Sequence, residues 1–170
     1  FAMIIQNVIR FIAALLLQGL IFNQIGIGAY LFPMFYVYYI LMLPFETKGW
    51  VLLITSFLLG LGVDFFSNSL GLHSTASLCM AFFRPGVIRL LTVGKDYETL
   101  VYPSIKKFGF SWFFSYTVIL VIIHHTIFFI LEVFSFYEIR QIIFRILISS
   151  IATIFLIFIT QLLFLKREKH

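Results

Sequence analysis

Charge is scarce in this chain. Only 11% of its 170 residues are Asp, Glu, Lys or Arg, against roughly 25% in an average soluble domain. So few charges cannot cover a soluble surface. There is a single cysteine, Cys79, which excludes an internal disulfide and a cysteine-based metal site. A small buried apolar residue is its expected role. No GxSxG, HExxH, Walker lysine loop or CxxC occurs, so no nucleophile is paired with a base and no enzyme class is indicated. No Lys/Arg run interleaves with aromatics, which argues against nucleic acid as a partner. No linker, repeat or low-complexity tract divides the chain, and a single transmembrane domain over residues 1–170 is expected.

What is present is apolar. Hydrophobic residues make up 62% and aromatics 19%, with 23 phenylalanines, and the mean hydropathy is +1.08. The expected fold is an all-α integral membrane protein, six transmembrane helices in one compact bundle. The predicted spans are about 4–22, 28–43, 50–67, 71–92, 110–133 and 141–165. The second is short and contains Pro33, and the fourth contains Pro85 and Gly86. Met3 reads as the native start, and the apolar stretch after it lacks a small-x-small cleavage site, so it is expected to be a retained first span.

Charge placement orients this arrangement. With a cytoplasmic N-terminus, the inner segments hold Lys48, Lys95, Lys106, Lys107, Lys166, Arg167 and Lys169, while the outer ones hold only Arg140. That asymmetry predicts both termini inside. Trp50 and Trp112 then both start spans at the inner interface, where indole rings favour the headgroup level.

A few polar residues interrupt the spans. Gly60, Gly62 and Asp64 lie in the third, with Gly60 one turn before Asp64, a small face that lets another helix approach closely. His73, Ser77, Ala81 and Arg84 share a face of the fourth, and His125 and Glu132 nearly superimpose on the fifth. Arg145, Ser149 and Thr153 form a stripe on the sixth that is expected to face other helices. The adjacent pair His124 and His125 diverges by ~100° and cannot easily grip one metal ion.

Depth sorts these groups. Asp64 lies about 6 Å below the outer end of its span, and His73, Ser77, Glu132 and Arg145 reach the same outer-half layer, with His125 lower. An unpaired charge there costs at least ~2.5–3.5 kcal/mol. The expectation is a hydrogen-bonded and ion-paired cluster of Asp64, His73, Ser77, His125, Glu132 and Arg145, with His73, Ser77 and Arg145 as partners of Asp64. Glu132, near the outer end, is expected to be solvated. Arg84 lies about 16 Å deeper than His73 and either snorkels to the inner headgroups or is buried. Pro85-Gly86 is expected to kink or end the helix beside it, freeing carbonyls for Arg84.

The stretch "LPFETKGWVLLITSFLLGLGVDFFSNSLGLHSTASLCMAFFRPGVIRLL", residues 43–91, resembles the central region of MreD, the rod shape-determining membrane protein family. The pattern is Pro44, Gly60, Gly62, Asp64, Leu70, Gly71, His73 and Arg84. The later "HHTIFFILEVFSF" and "RILISS" are similar to the MreD variants of Bacteroidota. The resemblance implies a non-enzymatic scaffold of the cell-elongation machinery in the bacterial inner membrane, without cofactor or metal. Its implied partners are MreC, the elongation synthase RodA with its transpeptidase, MreB indirectly, and membrane lipid, in support of lateral peptidoglycan synthesis and cell shape. The family's fold is similar to the substrate-binding S-components of energy-coupling-factor transporters. That kinship supplies a competing expectation, a vitamin-binding subunit with an outer-facing pocket. S-components typically dock through an Ala-x-x-x-Ala face on the first span. Here Leu17 follows Ala13 and Gln18 follows Ala14 at that spacing, so the face is absent.

Overall fold

A computed structural model describes residues 2–24, 30–92, 102–134 and 139–167. Every regular element among them is helical. The helices are α1 (Ala2–Leu20), α2 (Val37–Leu41), α3 (Gly49–Ser67), α4 (Leu72–Leu91), α5 (Ile105–Phe108), α6 (Phe110–Val133) and α7 (Ile139–Arg167), with a 3-10 turn at Phe22–Gln24 after α1. The stretches Ile4–Gln24, Gly49–Ser67, Phe110–Val133 and Ile139–Phe164 are long and apolar enough to cross a membrane. The chain is therefore a multi-pass helical membrane protein.

The two other expected spans differ from these four. Helix α4 is 20 residues long, about 30 Å at the standard rise, but Arg84, Arg89, His73 and its hydroxyl residues make it the more polar helix. It compensates by position, packed between α3 and α6. The expected second span, 28–43, is not one helix. Residues 30–36 are irregular, only Val37–Leu41 is helical, and residues 25–29 lie outside the described part. Irregular backbone at membrane depth is tolerated only where protein covers it and satisfies its polar groups, and Met34 through Val37 and Tyr39 through Leu43 are buried, with Tyr38 half-buried.

That burial explains the polar positions of the flanking helices. Ser149 Oγ accepts from the Phe32 amide at 3.1 Å and donates to the Tyr30 carbonyl at 3.2 Å. Thr153 Oγ1 accepts from the Met34 amide at 3.0 Å. From the other side, Gln18 of α1 donates to the Pro33 carbonyl at 3.0 Å and accepts from the Tyr36 amide at 3.2 Å. The stripe on α7 thus faces inward as expected, Ser149 and Thr153 toward the unwound segment and Arg145 and Thr153 also toward α6.

Helix α4 runs through Pro85 and Gly86 to Leu91, so of the two expected outcomes, a kink or an end, the proline does not bring the end. The two tryptophans also part company. Trp50 is 64% exposed, whereas Trp112 is buried against Phe108 and Tyr116. Cys79 is half-buried. A short helix, α5, precedes the fifth expected span, and residues 93–101 lie outside the described part.

Candidate functional site

The α3–α4 turn is built around Asp64. Asn68 closes α3 in the left-handed conformation (φ 56°) and Gly71 opens α4 in the same region (φ 83°). Neither conformation is costly for Asn or Gly. Gly71 has no side chain to cap the first amides of α4, and Asp64 reaches across from α3 to do so. Its carboxylate accepts from the amides of His73 and Ser74, both at 2.9 Å, and from Ser69 Oγ at 2.6 Å. Asp64 is 4% exposed, and the helix N-terminus supplies the positive end of a dipole as well as the donors. Gly60, one turn back, lets the two backbones meet. A Cβ there would lie 2.5 Å from Ser74 Cα and 2.6 Å from the His73 carbonyl oxygen. Gly62 faces elsewhere, toward the Leu15 side chain of α1.

The expected single layer resolves into separate groups. Asp64 bonds the backbone of His73, but Ser77 and Arg145 are not its partners. Ser77 Oγ donates instead to Tyr36 Oη at 3.2 Å. Tyr36 Oη also lies 3.2 Å from His73 Nδ1 and 2.7 Å from His124 Nε2. This buried phenol is thus the centre of a four-residue network, with both imidazoles edge-on to its ring. His125 belongs to a different group: Nδ1 contacts the Val121 carbonyl at 2.9 Å and Nε2 lies 3.2 Å from Thr153 Oγ1. The reason is the ~100° divergence of adjacent helical positions, which sends the two histidines to opposite neighbours.

Arg145 pairs with Glu132 at 2.8 Å, with both side chains only partly exposed, 17% and 33%. Its guanidinium also stacks over Phe129, 4.6 Å from the ring centre, and lies 5.2 Å from the centre of Phe32. Glu132 is exposed at the bundle surface, as expected, and is ion-paired there.

Near the opposite end of the bundle, Arg84 is 1% exposed, which selects burial over snorkelling. Its Nε donates to Tyr116 Oη at 2.8 Å and its Nη2 to the Leu43 carbonyl. Tyr116 in turn donates to the Leu41 carbonyl at 3.0 Å. Arg84 thus does bind free carbonyls, but those at the end of α2 rather than any released by Pro85. Among the described residues no carboxylate lies within ion-pair distance of it.

Two participants escaped the sequence reading. Tyr36 sits in an aromatic-rich apolar run, where a tyrosine reads as one more ring. His124 gave way to His125 because the latter aligns with Glu132. An available signal was the presence of three intramembrane histidines, each needing a partner of its own.

A cavity of about 340 Å³ opens beside this network. Gln18, Asn23, Gln24, Ser67, Ser69, His73 and Glu132 supply its polar lining, and Phe22, Phe32, Phe66 and Phe128 its rings. Gln18 donates to Asn23, and Asn23 to Ser67 Oγ at 2.8 Å. Among the described residues no group of three or more His, Cys, Asp or Glu side chains could hold a metal ion. Comparisons with protein-family models, with curated proteins and with solved structures find no match to this chain.

Proposed function

We propose that this chain is a non-enzymatic scaffold of the MreD type in the bacterial inner membrane, with both termini cytoplasmic. In this reading it crosses six times. Residues 28–43 form the second crossing, unwound over its described residues 30–36, and α4 forms the enclosed fourth. Its partners are MreC first, then RodA with its transpeptidase, and MreB indirectly, with membrane lipid around it.

The observation that carries the proposal is how the polar groups are used. Asp64, Arg84, Gln18, Ser149 and Thr153 all bond backbone of the bundle itself. They fix the arrangement of helices and leave outward faces almost purely apolar. On α3 those faces form a continuous stripe of Trp50, Ile54, Phe57, Leu58, Leu61 and Phe65, all exposed. In lipid, helices associate by shape and close packing, and a rigid stripe of this kind suits the single span of MreC.

The transporter alternative is weakened at its docking face. Ala14 and Gln18 are buried, and Gln18 holds the protein's own segment at Pro33 and Tyr36; Ala13 and Leu17 are exposed, but the leucine there takes the place of the second small residue.

Co-purification with MreC tests the scaffold reading. Phe57→Ala with Leu61→Ala should reduce the MreC recovered several-fold at unchanged expression. Ile151→Ala with Phe155→Ala, on the exposed face of α7, should not. Undiminished MreC recovery with both double variants, or no MreC with wild type, rejects the reading.

A further inference from the structure

The hydrogen-bond arithmetic of the Tyr36 network determines what the cavity beside it presents. Tyr36 Oη has one hydrogen and three neighbours: Ser77 Oγ, His73 Nδ1 and His124 Nε2. Ser77 donates to it. One histidine must therefore donate to the phenol oxygen and the other accept its hydrogen.

His124 decides between the two arrangements. Its Nδ1 is buried without a hydrogen-bond partner. If Tyr36 donated to His124 Nε2, that Nδ1 would carry a sealed, unpaired N–H, which is the rarer and costlier kind of orphan. In the reverse arrangement His124 donates from Nε2 and leaves a bare acceptor at Nδ1. Tyr36 then donates to His73 Nδ1, and the neutral His73 carries its hydrogen on Nε2. Among the described residues His73 Nε2 has no hydrogen-bond partner, and His73 lines the cavity.

The rest of the lining narrows the chemistry. Glu132 is its charged residue, and Arg145 neutralises it at 2.8 Å. Ser69 is committed to Asp64 and both amide hydrogens of Gln18 are committed to Asn23 and Pro33. Four phenylalanine rings supply the apolar walls. The volume falls at the lower end of the range of roughly 300–1,000 Å³ usual for small-molecule sites.

We propose that this cavity is a binding site for a compact, flat, uncharged molecule that presents a hydrogen-bond acceptor to His73 Nε2. The site goes beyond the scaffold role and does not depend on it.

Three bicyclic probes of similar size separate the possibilities. Coumarin offers an acceptor carbonyl, indole a donor N–H, and naphthalene neither. Each is titrated into the full-length protein, labelled with ¹⁵N-histidine and held in lipid nanodiscs, with empty nanodiscs as the partition control. Coumarin should shift the His73 signals saturably and bind about tenfold more tightly than indole or naphthalene, as one added hydrogen bond implies. His73→Phe should abolish that preference while leaving naphthalene binding intact. The spectrum of the ligand-free wild type gives an independent answer that needs no variant: Nε2 of His73 should be protonated. A bare Nε2, tighter binding of indole, equal binding of all three, or no saturable binding by any probe overturns the proposal.

Discussion

The Asp64 carboxylate lies 2.9 Å from the backbone nitrogen of Ser74, ten residues on and in the next helix. A charge that looks misplaced in an apolar helix is thereby the N-terminal cap of its neighbour. Helix α4 needs a cap from elsewhere, since its first residue follows a glycine and its length is enclosed by α3 and α6. Removing the carboxylate in Asp64→Ala strands two amides and the Ser69 hydroxyl. Caps typically contribute ~1 kcal/mol and buried hydrogen bonds to a charge ~1.5–3 kcal/mol. A loss of about 3 kcal/mol is expected in detergent unfolding, together with less MreC recovered per folded molecule. Asp64→Asn should fall between, because its amide NH₂ would meet one backbone donor head-on. An Asp64→Ala midpoint equal to wild type rejects the cap as a stabilising contact.

The charge pair at the bundle surface should behave differently. Glu132 and Arg145 are as close, 2.8 Å apart, yet both reach solvent or headgroups, where such pairs are worth ~0–1 kcal/mol. Glu132→Gln is expected to shift unfolding by less than about 1 kcal/mol. A change as large as that of Asp64→Ala would mean that the pair is far better shielded than its exposure indicates.

Glycine substitutions give a prediction of sign. At Gly60 a new methyl would meet backbone of α4 at 2.5 Å, and backbone cannot swing aside, so Gly60→Ala should cost at least ~1–3 kcal/mol as overpacking. At Gly62 it would meet the Leu15 side chain, which can change rotamer, and the cost should be smaller. At Gly86 nothing lies within 4 Å, and Gly86→Ala should stabilise α4 by ~0.5–1 kcal/mol through helix propensity. Thermal unfolding of the three variants in one detergent checks the order; a stabilised Gly60→Ala contradicts the close approach of α3 and α4.

These contrasts also mark what the sequence could reveal. Long apolar runs located α1, α3, α6 and α7, because lipid demands about 20 apolar residues of any helix that faces it. Asp64 could be placed by depth, since the turn "SNSLG" fixes the end of α3. Its true partners could not, because they are backbone amides, and every residue but proline carries one. The stripe of Ser149 and Thr153 was readable as inward-facing, but not its target. A single Pro33 does not say that residues 30–36 leave the helix, and only the bonds from α1 and α7 together make that path affordable in lipid. Tyr36 was the least legible of all. It owes its role to three residues on two other helices, His73, Ser77 and His124, and no local pattern announces such a meeting.

Arg84 provides the last prediction. It is buried without a carboxylate among the described residues and relies on Tyr116 and the Leu43 carbonyl, so it ties α4 to both α6 and the end of α2. Tyr116→Phe removes the acceptor for Arg84 Nε and the donor to Leu41, leaving a buried cation with one partner fewer. The expected cost is about 2 kcal/mol, above that of an average hydrogen bond because a charged group is left short. Arg84→Lys should cost at least as much. An ammonium on a flexible stem cannot reproduce the fork of a guanidinium that reaches a phenol and a carbonyl at once. Arg84→Met is the informative third variant. Replacing a buried charge by an apolar side chain of similar length removes the desolvation penalty along with the bonds, so it should be less damaging than the lysine. Unfolding midpoints measured for all three decide the matter. If Arg84→Lys is the mildest of the set, Arg84 acts as a point charge reaching the headgroups, and its ties to Tyr116 and Leu43 are incidental.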